Sequence, residues 1–262
     1  DTCAQWFNAN RNRTIDPPHA AKNPIVVGAV NSNDSSMTAF SGFGPVSDGR
    51  LKPDVVGPGC QVGGDGALTS TVADAIIDTD TPPDGDDDTF PYDTKCGTSM
   101  STPAVAAVAA LLLEQWRDTY GYTLSDPRPA SYKALLVHTA TDLGAVGPDY
   151  AFGWGAVAAQ PAAQAIIDHK VLEAGLGRGE VDEYTINVVP GQPTLRATLA
   201  WDDPPPSPIV APQLVNNLDL ELVDPNGVVR RPWLLNPAVP TAAATTGVDT
   251  LNNVEQVHIV NP

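Results

Sequence analysis

The sequence predicts an α/β layer fold followed by an all-β sandwich, and three observations carry the prediction. Short β-branched apolar runs alternate with helical stretches through the first two thirds of the chain. One polar, glycine-led turn, "KCGTSMSTP" (95–103), runs directly into the apolar stretch "AVAAVAALLLEQW" (104–116). After about residue 178 the texture changes to alternating apolar and polar residues separated by Pro, Gly and Asn turns, the pattern of an antiparallel sheet with one wet face. A chain of 262 residues accommodates one large or two ordinary domains. The boundary is expected near residue 178, giving an α/β part over 1–178 and a β part over 179–262.

Each element has its own signal. "PIVVGAV" (24–30) is a continuous β-branched run bounded by Pro24 and the polar "NSNDSS", as a buried parallel strand should be. "FSGFGPVSDGRLKPDVVGPG" (40–59) is mostly turns, with "DVV" as a second short strand. "GALTSTVADAII" (66–77) reads as a strand or an extended edge, and "DTDTPPDGDDD" (78–88) as an acidic surface loop without the spacing of an EF-hand. Three helices follow: about 99–117, apolar on every face and so expected to be buried all round; one from Ser131; and one within "GAVAAQPAAQAII" (155–167). In the last third, "EVDEYTINVV" (180–189), "TLRATLAWDD" (194–203), "NLDLELVDPNG" (217–227) and "VEQVHIV" (254–260) read as strands, with "DPNG" as a hairpin turn. Proline confines "DDPPPSPIVAPQ" (202–213) to a loop. Trp201 and Trp233 are expected in the core of this region rather than as a ligand platform.

The formal charge of −17 and a pI near 4.3 exclude nucleic acid as an expected partner, because phosphate binding needs clustered Lys and Arg. No apolar stretch reaches the roughly 18 residues of a membrane helix, so no membrane partner is expected. Three cysteines, Cys3, Cys60 and Cys96, are too few for a disulfide scaffold. Cys60 and Cys96 flank the strand and loop that lead into the polar turn. Either they form a disulfide that pins it, or they are two small buried hydrophobes.

The turn itself carries the chemistry. Thr98 is expected as the N-cap, which places Ser99 in the first helical turn, where backbone N–H groups lack intrahelical partners. A hydroxyl at this positive helix end can attack a carbonyl while its own N–H holds the developing oxyanion. Gly97 lets a substrate backbone approach, and Pro103 leaves the Ser99 carbonyl without its usual helical partner. The competing reading is a plain N-capped core helix.

The whole heptapeptide "GTSMSTP" resembles the nucleophile motif of the subtilisin-like serine peptidases, Gly-Thr-Ser-Met-Ala-Thr/Ser-Pro, with Ser101 in place of the common Ala. Its neighbours agree in order. "AKNPIVVGAV" (21–30) resembles the family's strand before the nucleophile, "FSGFGP" its "FSxxGP" segment, and "LKPDVVGPG" its "xKPDVxAPG" segment, with Gly57 where Ala is common. "LLVHTATDLG" (135–144) and "YAFGWGAV" (150–157) resemble the family's "LxxTAxDLG" helix end and "GxGxVNA" turn. The resemblance covers roughly residues 20–165. It implies a partial subtilisin-like parallel-sheet domain, followed by a jelly-roll-like sandwich similar to the β domain of one bacterial branch.

By the same resemblance, Ser99 forms an acyl-enzyme on a polypeptide substrate and supplies one oxyanion N–H, with Gly97 and Thr98 beside the substrate. No cofactor is required for that chemistry, and the location implied is extracellular. In the family the catalytic Asp, the catalytic His and the oxyanion Asn precede the segment matched by residue 20 onward. His19, His138, His169 and His258 stand outside the family's His motif and are expected as surface or satisfied core histidines. Without a general base a serine hydroxyl is a poor nucleophile at neutral pH. The expectation is therefore an internal fragment of a longer peptidase, whose first partner is the N-terminal part of the same protein. A noncatalytic binding or scaffolding piece acting through its β region is the alternative. Structural calcium is also implied. Asp54 follows "KP" where the family holds a weak cation, with the carbonyls of His19, Ala21 and Pro24 at matching positions; a turn or capping role for Asp54 competes with this.

Overall fold

Val27–Asn31 (β1) and Val55–Cys60 (β2) are short, β-branched and almost wholly buried, and they pair in parallel with Val27 opposite Val55. The computed structural model describes residues 11–62, 68–71, 92–122, 125–207 and 213–262. Single bridges widen the pair on both sides. Met37 lies antiparallel to Val30, Ala156 parallel to Val56, and Thr141 antiparallel to Ala156. Two mutual bonds of 2.8 Å join Thr141 to Ala156, so the "TATDLG" and "FGWGAV" segments meet as one unit beside β2. Gly155 permits this: its φ is +114°, and a Cβ there would stand 2.1 Å from the Thr141 carbonyl oxygen.

Leu68–Thr71 (β3) and Tyr92–Lys95 (β4) form an antiparallel pair leading into Thr98–Tyr120 (α1). The acidic segment 78–88 lies outside the described residues. α1 packs on β1 and β2, followed by Pro129–Thr139 (α2) and Ala159–Ile167 (α3). Val105, Leu112 and Trp116 of α1 join Leu135, Leu136, Ala162 and Ile166 in the core. The uniform apolarity of α1 predicts burial on all sides, but only one stripe is covered. Ala106, Ala107 and Ala110 are exposed, and Leu111 is 60% exposed.

In the last third, Thr194–Ala200 (β5) pairs antiparallel with Val254–Val260 (β10). Two short hairpins complete it: Leu222–Val223 (β6) with Val229–Arg230 (β7), and Trp233–Leu234 (β8) with Thr245–Thr246 (β9). The "DPNG" turn closes β6–β7 as its sequence predicts. Asp224 Oδ1 accepts the Asn226 and Val228 N–H groups, and Gly227 has a φ of +81°. Residues 180–189 form no strand and are exposed along their length, because no neighbouring edge meets them among the described residues. The described residues after 178 do not build two facing sheets. Instead β5 packs on α2, and Val254, Ala200, Trp233 and Leu235 enter the same core as the helices. Trp201 is buried and donates its indole N–H to the Asn216 carbonyl.

Buried charge ties these parts together. Lys52 Nζ lies 2.5 Å from Asp54 Oδ2 and Lys133 Nζ 3.5 Å from Oδ1, while the Val26 N–H donates to Oδ2 at 2.7 Å. Burial pushes the Asp54 carboxyl up, but the Lys133 and Lys52 ammonium groups and the Val26 N–H together hold it below the usual range. Lys133 also donates to the Lys22 carbonyl at 2.6 Å. Lys22 in turn makes a buried ion pair with Asp203. Removing one partner from such a cluster leaves charge uncompensated. We expect Lys133→Met to lower the unfolding free energy by about 3 kcal/mol, measured by urea denaturation.

Glu255 in β10 accepts the Leu220 N–H through Oε2, and its Oε1 is buried without a donor. Burial pushes this carboxyl up to about 8 against the Leu220 bond, and the charges of Asp249 and Asp219 add to the rise. The folded chain therefore holds a proton that the unfolded chain releases near 4.5. The associated stability is complete below that value and is lost as pH rises through 8. His138 acts in the opposite sense. Burial, with the Arg196 and Lys170 charges, lowers it to about 4, so its contribution is present above 6.5 and lost as pH falls through 4. The melting temperature should fall between pH 6.5 and 8.5, and Glu255→Gln should flatten that slope and steepen the acid limb between pH 4.5 and 6.5, where the two groups oppose each other.

Candidate active site

Ser99 lies on the exposed side of the first turn of α1, with Gly97 and Thr98 half-buried beside it. The helix begins one residue earlier than its capping pattern predicts. Gly97, not Thr98, flanks it, and no side chain caps it. Gly97 is held in place by its own backbone: its N–H donates to the Gly59 carbonyl of β2 at 2.9 Å, and its carbonyl accepts the Met100 N–H at 3.0 Å. Thr98 thus enters the helix with its hydroxyl uncommitted to a cap. No acidic residue stands in the first turn, so the positive helix end is not neutralised by its own side chains. A developing oxyanion beside the Ser99 N–H would meet that field.

A disulfide joins Cys60, the last residue of β2, to Cys96, immediately before Gly97, with their Cα atoms 4.7 Å apart. Of the two sequence readings of these cysteines, the structure contains the bridge. Cys3 lies outside the described residues. The nucleophile turn is therefore fastened to the end of β2 by one covalent bond and one backbone hydrogen bond, one residue apart.

The candidate cation position at Asp54 is filled from within the chain. Lys52 Nζ donates to the Pro24 carbonyl at 2.9 Å and the Lys22 carbonyl at 3.3 Å, as well as to Asp54. Two ammonium groups thus engage the Asp54 carboxylate, and one of them also takes the Pro24 carbonyl, one of the three carbonyls expected around a cation there. Among the described residues, no group of three or more His, Cys, Asp or Glu side chains is arranged to hold a metal. Sequence reading missed Lys133 because a lysine within an apolar helix reads as surface; its position in "SYKALL", between residues that face the core, is the signal that was available.

None of the histidines is brought to Ser99 by a hydrogen bond. His138 Nδ1 lies 3.0 Å from the Thr198 hydroxyl, His169 meets the edge of the Tyr120 ring, and His258 lies beside Trp233. His19 is exposed in a turn. The Ser99 hydroxyl makes no hydrogen bond among the described residues.

Closing the 36-residue separation between Cys60 and Cys96 should contribute about 4 kcal/mol through the entropy of the unfolded chain. Dithiothreitol is therefore expected to lower the chemical-denaturation midpoint of the wild type and to leave that of Cys60→Ser/Cys96→Ser unchanged.

A model described as the subtilase family matches residues 4–155, more than half of the chain. The Serine protease/ABC transporter B family protein tagD of Dictyostelium discoideum is 27% identical over 286 residues, taking in 86% of this chain and 15% of that protein. Serine protease AprX of Bacillus subtilis is 32% identical over 111 residues, 39% of this chain and 23% of that protein. Among solved structures, the Clostridium perfringens CspB protease is 28% identical and aligns over 60% of this chain and 30% of its own, with a TM-score of 0.46. The chain thus spans about 15% of the length of its Dictyostelium relatives. With the motif turn at the head of α1, the parallel pair beneath it and the family match across both, the chain belongs to the subtilase family.

Proposed function

We propose that this chain is the nucleophile-bearing part of a subtilisin-type serine endopeptidase acting on polypeptides. The observation that carries this is Ser99, exposed in the first turn of α1 within "GTSMSTP" and fastened to β2 on its N-terminal side. In the reaction, Ser99 Oγ attacks the scissile carbonyl carbon as its proton passes to a histidine base. The oxyanion is held by the Ser99 N–H and an asparagine side chain. Collapse of this intermediate breaks the C–N bond, the base returns the proton to the leaving amine, and water then hydrolyses the ester on Ser99. No cofactor enters these steps.

The histidine, its aspartate and the asparagine come from a segment of the same protein outside this sequence. Two features support that assignment. The histidines of this chain are engaged elsewhere or lie exposed in turns. The outer face of the nucleophile helix, Ala106, Ala107, Ala110 and Leu111, is apolar and uncovered, as an interface for further chain would be. Alone, the chain is then inactive. A disulfide next to the nucleophile and a relative named Extracellular serine protease, from Serratia marcescens, support an extracellular location.

A fluorophosphonate probe tests the reading directly. The longer protein that includes the preceding segment should be labelled on one serine, and Ser99→Ala should abolish the labelling. Failure of every length of the protein to label would favour a noncatalytic binding role.

A further inference from the structure

Two departures from the family pattern lie far apart in sequence and touch in space. Ser101 is fully buried, and its hydroxyl donates to the Gly28 carbonyl of β1 at 2.7 Å. Gly57, on β2, faces the same point: a Cβ built there would stand 2.9 Å from Ser101 Oγ and 2.9 Å from Val105 Cγ2. Distances under 3 Å cannot be accommodated without movement. The room that an alanine methyl at position 57 would take is the room the Ser101 hydroxyl occupies. In return, the hydroxyl adds a hydrogen bond that an alanine at position 101 could not make.

The placement of that bond bears on the reaction. Ser101 is two residues after Ser99, in the opening turns of α1, whose first turn has no side-chain cap. Before Ser99, the turn is fastened to β2 through Cys60–Cys96 and the Gly97 N–H to Gly59 bond. After Ser99, Ser101 fastens it to β1. Ser99 is thus held between ties to two adjacent strands of one parallel pair.

We infer that Ser101 is a positioning residue for Ser99, and that Ser101 and Gly57 act as one unit in which the hydroxyl fills the space a methyl at position 57 would take. This rests on the peptidase reading. The unit predicts coupling rather than addition. Ser101→Ala leaves a gap over Gly57 and frees the turn from β1, and Gly57→Ala drives the Ser101 side chain and the helix start away from the sheet. Either change shifts Ser99, and a displacement of a few tenths of an ångström to 1 Å in a reacting group costs rate rather than binding. The double substitution removes the hydroxyl and lets a methyl take its place, which relieves the contact with Oγ but leaves the Gly28 bond unmade and Val105 Cγ2 to shift.

The test uses the longer protein that carries the preceding segment. The rate constant for fluorophosphonate labelling of Ser99 and the kcat and KM for a peptide substrate are measured in the wild type, both single variants and the double variant. Each single substitution should lower the labelling rate and kcat about tenfold with KM nearly unchanged, and the double variant should recover part of both relative to the slower single. Thermal midpoints identify variants that fail to fold. Should Gly57→Ala do so, Ser101→Ala and the double variant still decide the outcome, since the second must label faster than the first. Singles that lose thermal stability but label at the wild-type rate would overturn the positioning role, as would a double variant no faster than the slower single. A wild type that does not label would overturn the peptidase reading itself, a separate result from either of these.

Discussion

The structure hangs on a carboxylate that water does not reach. Asp54 stands at the start of β2, its side chain bonded to the Val26 N–H at the start of β1 and its carbonyl accepting the Trp154 N–H. Lys52 and Lys133 neutralise it from the loop before β2 and from α2. Desolvating three charges is costly, and a buried cluster of this kind repays it only when each lone pair and proton is engaged. Here both lysines find carbonyl oxygens as well, Pro24 and Lys22, so the cluster fixes the loop 22–24 against the sheet. The register of the parallel pair follows from this. With Val26 and Asp54 tied together, Val27 must lie opposite Val55 and Gly28 opposite Val56.

That register sets the nucleophile turn. Gly57 and Gly59 are the places on β2 where the start of α1 comes close enough that a side chain would collide. A Cβ at Gly59 would stand 2.9 Å from the Gly97 carbonyl oxygen and 2.6 Å from Ala29 Cβ. The helix start rests close against strand backbone, held by the Gly97 N–H and the Ser101 hydroxyl, and its polar mouth stays free of capping groups. A slip of one residue along β2 would turn each of its side chains to the opposite face of the sheet and carry the turn with it. Precision at Ser99 is in this sense inherited from charge buried at the opposite end of the strands.

Much of this was legible in the sequence. Continuous β-branched runs announced β1 and β2, and "GTSMSTP" placed Ser99 at a helix start, because glycine, small hydroxyls and an early proline together have few other uses. The "DPNG" hairpin was equally plain. What could not be read depends on partners distant in sequence. The extent of burial of α1 is decided by what covers it, and its composition alone does not distinguish a helix buried all round from one with an open face. Asp54 with its preceding "KP" suggested a cation, since one carboxylate among carbonyls suits calcium or sodium; that Lys133, about 80 residues later in the chain, also reaches this carboxylate could not be read from the local sequence. The alternation in 180–189 is that of a strand, yet pairing requires an edge, and none of the described edges lies beside it.

The β5–β10 pair is tied to the helices and to the 22–24 loop by a set of side-chain bonds. Asn23 and Asp203 exchange two bonds of 3.0 Å, side-chain amide to backbone carbonyl and backbone N–H to side-chain oxygen, and Asn253 donates to the same Asn23 oxygen at 3.2 Å. Asp203 also accepts the Val215 and Asn216 N–H groups, both at 2.8 Å. On the other side Arg196 of β5 donates to the His138 carbonyl at 2.6 Å, and Gln256 of β10 bonds the Thr198 hydroxyl that also meets His138. These bonds are buried or partly buried and lie at the Ala200–Val254 end and along the middle of the β5–β10 pair, so separating the regions would expose unpaired amides and the Lys22–Asp203 pair together. A segment docked this way acts as a buttress. It closes the core behind α2 and holds the 22–24 loop from outside, while the Asp54 cluster holds it from within.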